Sequence, residues 1–428
     1  MSWIERDEKV IWHPYTQAKN GRPPLVIVKG KGALLYDESG NSYIDAVASW
    51  WTNIHGHAHP YLAERIAQQA RQLEHVIFAG FTHPPAIELG ERLLSLLPHN
   101  QGKVFFSDNG STAVEIAIKM AIQYAWNEGL DRRRIIAFDQ AFHGETFGAM
   151  SASGDLSLNK PYHPYLFEVT RIPAPVPGRE ELALAALLEV LAKGDTAAFI
   201  FEPLVMGAGG MLMYSPEILD RLIAACHQRG VLCIADEVMT GFGRTGRYFA
   251  CSWLQEKPDL IALSKGLTGG ALPLAVTTCT ERVYQAFYSD DTFKTFFHGH
   301  SFTGNPLGCA AALASLELLM GESCQGRMES IVRQHAAFVR KWLGHPGLGD
   351  VRQTGTILAV EFKTDSNSGY FNDLRDRLYP FFLKRGVLLR PLGNVVYVLP
   401  PYCITDEQLG KVYQVLEEAI GIFAGQNT

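Results

Sequence analysis

The feature that most constrains this chain is the stretch 231–270, VLCIADEVMTGFGRTGRYFACSWLQEKPDLIALSKGLTGG, where two short apolar runs each end on one charged side chain. Val231–Ala235 runs into Asp236, and Leu260–Leu263 runs through Ser264 into Lys265 and then Gly266. Unbroken apolar runs of this length suit strands buried on both faces, as in a parallel sheet. In open α/β sheets the ligand crevice lies beyond the carboxyl ends of the strands. Asp236 and Lys265 are therefore expected to face one crevice.

That pair has a chemical use. Pyridoxal phosphate needs a lysine to hold its aldehyde as a Schiff base, and a carboxylate to keep its pyridine nitrogen protonated. Lys265 fits the first role and Asp236 the second. Once released, the Lys265 amine can carry a proton as a general acid and base. Taken singly, a lysine at a strand end serves as well as a solvated cap, and Asp236 as a turn residue. The other motifs decide between these readings.

KVFFSDNGSTAVEIAIKMAIQYAW reads as a short strand, Val104–Phe106, followed by a helix that Gly110 and Ser111 open. Thr112 and Glu115 have capping-box spacing. A strand–glycine–helix start offers free backbone N–H groups and the positive end of the helix dipole, which together suit a phosphate. Arg134–Phe138 is the next expected strand, with Phe142 and His143 on the loop after it. AAFIFEPLVMGAGGM repeats the design of a strand ending on an acid, at Glu202. Residues 60–98 read as helical, and Ser153–Gly178 as a loop rich in Pro, Tyr and Gly.

IADEVMTGFGRTG followed by SKGLTGG resembles the class III aminotransferases, a branch of the fold type I pyridoxal phosphate enzymes, and the likeness runs from about Trp12 to about Tyr402. It implies an α/β fold with a large domain, 49–320, built on a mainly parallel seven-stranded sheet between helices. A small α/β domain would come from both termini, 1–48 and 321–428. The resemblance puts Asp236 on the pyridine nitrogen, Val238 against the ring and Lys265 on the aldehyde. Gly110 and Ser111 would hold the phosphate. Phe142 and His143 would lie on the loop that stacks an aromatic ring on the cofactor. Glu202 would either help set the cofactor's hydrogen bonds or serve the scaffold. Gly299, His300 and Ser301 belong to a loop that crosses a dimer interface in the family, its hydroxyl reaching the phosphate in the other subunit. A homodimer with shared sites follows.

WHPYT and SWW narrow the likeness. Both resemble the class III branch that aminates 8-amino-7-oxononanoate in biotin synthesis, with S-adenosylmethionine as donor. There Tyr15 and Trp50 would line the substrate pocket, and Trp51 the same wall, which suits the apolar chain of an oxononanoate. Arg390 would take the substrate carboxylate with its planar fork. Arg244, in GFGRTG, either orients that carboxylate or braces its loop. Three residues depart from the familiar pattern of the branch. Phe142 replaces a tyrosine, Glu145 an aspartate and His300 a proline. The first two bear on the amino donor, since Phe142 offers no hydroxyl.

The chain has 428 residues, 47% hydrophobic and 19% charged, enough for a large core and two domains. A net charge of -6 argues against nucleic acid as a partner. No C-x-x-C pair occurs among the seven cysteines, which read as reduced core thiols of a cytoplasmic protein. The start, MSWIERDEKV, lacks the pattern of a secretory signal. His55, His57, His59 and His143 suit turns and supporting contacts better than a metal. Three rivals remain: an ω-amino acid or diamine aminotransferase on the same scaffold, an aminomutase, and a cofactor-binding regulator without turnover. The last usually carries a basic DNA-binding domain, for which this chain has no room.

Overall fold

The computed structural model describes residues 1–154, 157–364 and 372–424. Near the N-terminus β1 (Ile27–Lys31), β2 (Leu34–Asp37) and β3 (Ser42–Asp45) form an antiparallel meander. The central region supplies β4 (Gln101–Ser107), β5 (Arg134–Phe138), β6 (Thr170–Ile172) and β7 (Thr196–Phe201). A small ribbon follows, β8 (Val205–Met206) with β9 (Leu212–Met213). Then come β10 (Leu232–Asp236), β11 (Leu260–Leu263) and β12 (Ala275–Thr280). The last part contains β13 (Leu348–Thr354), β14 (Ile357–Phe362), β15 (Val387–Leu388) and β16 (Val395–Val398).

The main sheet has seven strands in the order β4-β12-β11-β10-β7-β5-β6. β12 alone runs against its neighbours, so the sheet is mainly parallel, as expected. Successive side chains on a strand point to opposite faces. Here both faces are covered. Ile135, Ala137, Leu232 and Ile234 pack in one cluster with Ala113, Ala117 and Ala121 of the helix Gly110–Asn127. Ile136, Phe138, Cys233 and Ala235 pack in the other, with Leu219 and Leu222 of the helix Pro216–His227. That double burial is why the apolar runs are continuous rather than alternating.

β15 pairs in parallel with β3, so segments from both ends of the chain share one small sheet. β13, β14 and β16 form a separate antiparallel sheet. Among the described residues no single helix is long and apolar enough to cross a membrane.

Several local expectations change. The helical stretch 60–98 is two helices, Pro60–Gln72 and Pro84–Leu96, with a break between them. The segment Ser153–Gly178 is not all loop: it contains a 3-10 turn, Ser157–Tyr165, and the edge strand β6, while residues 155–156 lie outside the described residues. The Thr112–Glu115 pair does not cap the helix Gly110–Asn127. Asn109 does, accepting from Thr112 N at 3.0 Å, while Thr112 Oγ1 lies 3.3 Å from the Asn109 N–H. Glu115, a turn further on, instead accepts from Gly148 N at 2.6 Å. Arg390 lies two residues past β15, which stops at Leu388.

Candidate active site

β10 and β11 are adjacent and parallel, with Asp236 opposite Ala262. Their carboxyl ends therefore open into one place, a cavity of about 370 Å³ that both Asp236 and Lys265 line. Asp236 accepts hydrogen bonds from Val238 N at 3.0 Å and shares one of 2.8 Å with His143 Nδ1. His143 lines the same cavity, and its Nε2 is buried without a partner. Lys265 sits just past β11 with φ of 27°, a strained value for a side chain other than glycine. Its ammonium lies 4.7 Å over the ring of Trp51. Burial lowers its pKa, against the pull of Asp236 and Glu202.

Trp51 reaches the cavity through an unusual backbone. Ala48, Ser49, Trp50 and Trp51 all have left-handed φ, between 44° and 75°. Such residues cost roughly 1–2 kcal/mol each. Asp45 offsets this strain by accepting from Val47 N (3.3 Å) and Ser49 Oγ (2.8 Å), with His57 Nε2 at 2.8 Å. The turn sends the two tryptophans apart. Trp51 is 4% exposed and lines the cavity, while Trp50 is 39% exposed.

At the other end lies the start of the helix Gly110–Asn127. The first N–H groups of a helix have no partner within it. Asn109 takes that of Thr112, which leaves those of Gly110 and Ser111 at the cavity edge. A Cβ at Gly110 would sit 2.5 Å from Val238 Cγ1, so only glycine allows the helix to start this close to β10. The Ser111 hydroxyl is already engaged, lying 2.8 Å from Thr146 Oγ1 and accepting from Thr146 N at 2.9 Å. Glu202 accepts from Phe142 N and Gly207 N, each at 2.9 Å, and so holds the Phe142 loop against the cavity. Burial, reinforced by the Asp236 charge, pushes its carboxyl up to about 7, while His143 and the two N–H groups oppose the rise.

These groups suit pyridoxal phosphate. The cavity joins an enclosed primary amine, a carboxylate tied to a histidine, an apolar wall at Val238 and Phe142, and free N–H groups at a helix start. They can hold, in that order, an aldehyde, a pyridinium, a ring face and a phosphate.

The remaining candidates fall into three places. Tyr15, Trp50 and Arg390 do not line the cavity but form a cluster joined to it through Trp51 and Gly144, the neighbours of Trp50 and Glu145: the Arg390 guanidinium lies 4.6 Å over Trp50, and the Tyr15 ring 5.4 Å from it, edge-on. The Tyr15 hydroxyl donates to Glu145. Arg244 lies elsewhere. It is 1% exposed, donates to Pro400 O at 2.8 Å and Trp51 O at 3.3 Å, and lies 5.0 Å over Tyr402. Of its two expected roles only the bracing one agrees with this burial, so the substrate contact is withdrawn. Gly299, His300 and Ser301 do not line the cavity within one chain. The His300 N–H instead donates to Thr303 Oγ1 at 3.0 Å.

Sequence reasoning missed Asn109, Met239 and the Leu272–Leu274 wall of the cavity, and the part played by Asp45. Asn109 carried a signal, as an Asn before a helix is a favoured cap. The others carried none, because tertiary folding alone brings them near.

Residues 15–420 match the model of the family described as Aminotransferase class-III. The adenosylmethionine-8-amino-7-oxononanoate aminotransferase of Synechococcus elongatus is 49% identical over 418 residues, covering 96% of this chain and 98% of that one. The crystal structure of the enzyme of that name from Methanocaldococcus jannaschii superposes with a TM-score of 0.92, at 35% identity and 98% coverage of both chains. An omega transaminase from Pseudomonas jessenii in complex with PMP superposes at 0.91, with 27% identity over 100% of both chains. The chain belongs to the class III aminotransferase family, whose cofactor is pyridoxal phosphate.

Proposed function

We propose that this chain transfers an amino group from S-adenosylmethionine to 8-amino-7-oxononanoate, forming 7,8-diaminononanoate in biotin synthesis. The observation that carries the choice of acceptor is the Tyr15–Trp50–Arg390 cluster beside the cavity. Aromatic faces with a guanidinium at one end match an aliphatic chain that ends in a carboxylate.

Pyridoxal phosphate, when bound, supplies an aldehyde that captures the amine and a ring that withdraws electrons from the substrate carbon. The chain's residues supply the rest. The Asp236 carboxylate, oriented by His143 and Val238 N, holds a proton on the pyridine nitrogen. Lys265 Nζ, with its basicity lowered by burial, moves the proton at the substrate carbon. Val238 and Phe142 would give the bound ring an apolar wall. The N–H groups of Gly110 and Ser111 orient the phosphate. Glu202 fixes the Phe142 loop through its backbone.

The site works as a homodimer in this reading. Phe293, Phe297 and Phe302 are exposed around Gly299, His300 and Ser301. A second copy would cover them and bring Ser301 to the phosphate end of its neighbour's cavity. The division into domains at 48/49 and 320/321 is part of this reading, and the pairing of β3 with β15 supports a small domain drawn from both ends of the chain. Seven free cysteines, five of them buried, suit a cytoplasmic setting.

The test is a half-reaction. S-adenosylmethionine alone should change the cofactor's absorbance, and 8-amino-7-oxononanoate should then yield 7,8-diaminononanoate by mass. Failure with the donor, but product with lysine or another amine, moves the fault to Phe142 and Glu145. Failure with the acceptor sinks the biotin reading. Glu145 favours the second reading, another ω-amino acid or diamine aminotransferase, because it already holds the Tyr15 hydroxyl. Turnover of a diamine with pyruvate would support that alternative.

A further inference from the structure

A second cluster of chemically able side chains lies at the opposite end of β10. His227 ends the helix Pro216–His227, Cys233 is the second residue of β10, and Asp259 immediately precedes β11. Ligand atoms of these three residues all lie within 4.8 Å of one another. The sequence separates them by six and 26 positions, and only the helix-to-strand return brings them together. Cys233 sits three residues before Asp236 on the same strand, on the order of 10 Å along it.

The cluster is built rather than loose. Asp259 Oδ2 accepts from Cys233 N at 2.9 Å and lies 3.2 Å from His227 Nε2. Its other oxygen accepts from Arg282 Nη2 at 2.7 Å. The far nitrogen of His227, Nδ1, lies 3.2 Å from Glu256 Oε2. The loop carrying Glu256 is itself pinned, since Asp220 Oδ1 accepts from Gln255 N and Glu256 N at 2.9 Å. Cys233 is fully buried, whereas the His227 side chain is 28% exposed. The group is therefore reachable from solvent on one side only.

We propose that His227, Cys233 and Asp259 form a binding site for one divalent cation of zinc type, with Glu256 orienting the imidazole and the fourth position left to solvent. A thiolate, an imidazole and a carboxylate on a borderline-soft ion match the ligand preferences of zinc. A carboxylate on the far nitrogen of a ligating histidine fixes its tautomer and aims the lone pair at the ion. Binding releases the thiol proton of Cys233 and the proton that His227 Nε2 shares with Asp259. Arg282 keeps its own bond to Asp259 Oδ1, which leaves Oδ2 to face the ion. This site is independent of the transaminase reading.

The test adds Zn²⁺ to the cofactor-loaded protein, with binding followed by calorimetry and ligands by zinc K-edge X-ray absorption. The expected result is one zinc per chain with a sulfur shell at about 2.3 Å and nitrogen or oxygen at about 2.0–2.1 Å. Cys233→Ser should remove the sulfur shell. Glu256→Gln should weaken binding about 10–100-fold, as loss of an orienting partner does. Should Cys233→Ser fail to fold, His227→Gln, at a partly exposed position, tests the same site by its loss of affinity. The proposal is overturned if no zinc binds, if His227→Gln binds as the unaltered protein does, or if the sulfur shell vanishes with Cys403→Ser instead.

Discussion

Glu202 offers a direct test of how the buried site manages charge. Two forces compete on it. Two backbone N–H groups favour the carboxylate, and burial beside Asp236 favours the neutral acid. Burial wins by lifting the carboxyl from 4.5 to about 7. Between those values the folded chain keeps a proton that the unfolded chain has lost. Stability therefore falls as pH rises across that window and is level on either side. At about 1.4 kcal/mol per pH unit, the loss amounts to roughly 3 kcal/mol. Glu202→Gln removes the charge at every pH and keeps one acceptor, so it loses the bond to one of the two N–H groups, a cost that does not vary with pH. Urea unfolding of the cofactor-free protein, read by tryptophan fluorescence at matched chain concentration, would compare the two. The unaltered protein should lose roughly 3 kcal/mol between pH 4.5 and pH 8 relative to the variant, whatever fixed offset the lost N–H bond adds. If the unaltered protein instead gains stability relative to the variant as pH rises through that window, the N–H groups outweigh burial and the reasoning fails.

Lys265→Ala should abolish retention of the cofactor after borohydride reduction and slow transamination at least about 10²–10⁴-fold, the usual worth of a positioned acid–base. Gly110→Ala forces a Cβ to 2.5 Å from Val238 Cγ1, so cofactor titration should show weaker binding, with a cost of about 1–3 kcal/mol from overpacking. Arg244→Met strands the buried carbonyls of Pro400 and Trp51, which should cost about 2–4 kcal/mol in unfolding measurements. Normal stability with a raised KM for the acceptor would return Arg244 to the substrate.

What the sequence by itself determined are features written in local pattern. Apolar runs ending at Asp236, Glu202 and Lys265 marked strands of a doubly covered sheet, because burial on both faces leaves no polar alternation. Gly110 and Ser111 marked a helix start for the same local reason, since capping and backbone freedom act over a few residues. The tertiary structure alone decided how distant groups serve one another. It tied His143 to Asp236 and Phe142 to Glu202, across gaps no spacing rule spans. It buried Arg244 under Tyr402, where a desolvated guanidinium must satisfy itself on carbonyls rather than wait for substrate. It also split Trp50 from Trp51 by a left-handed turn. That conformation is locally unfavourable in any L-residue and persists because Asp45, from a neighbouring strand, holds it.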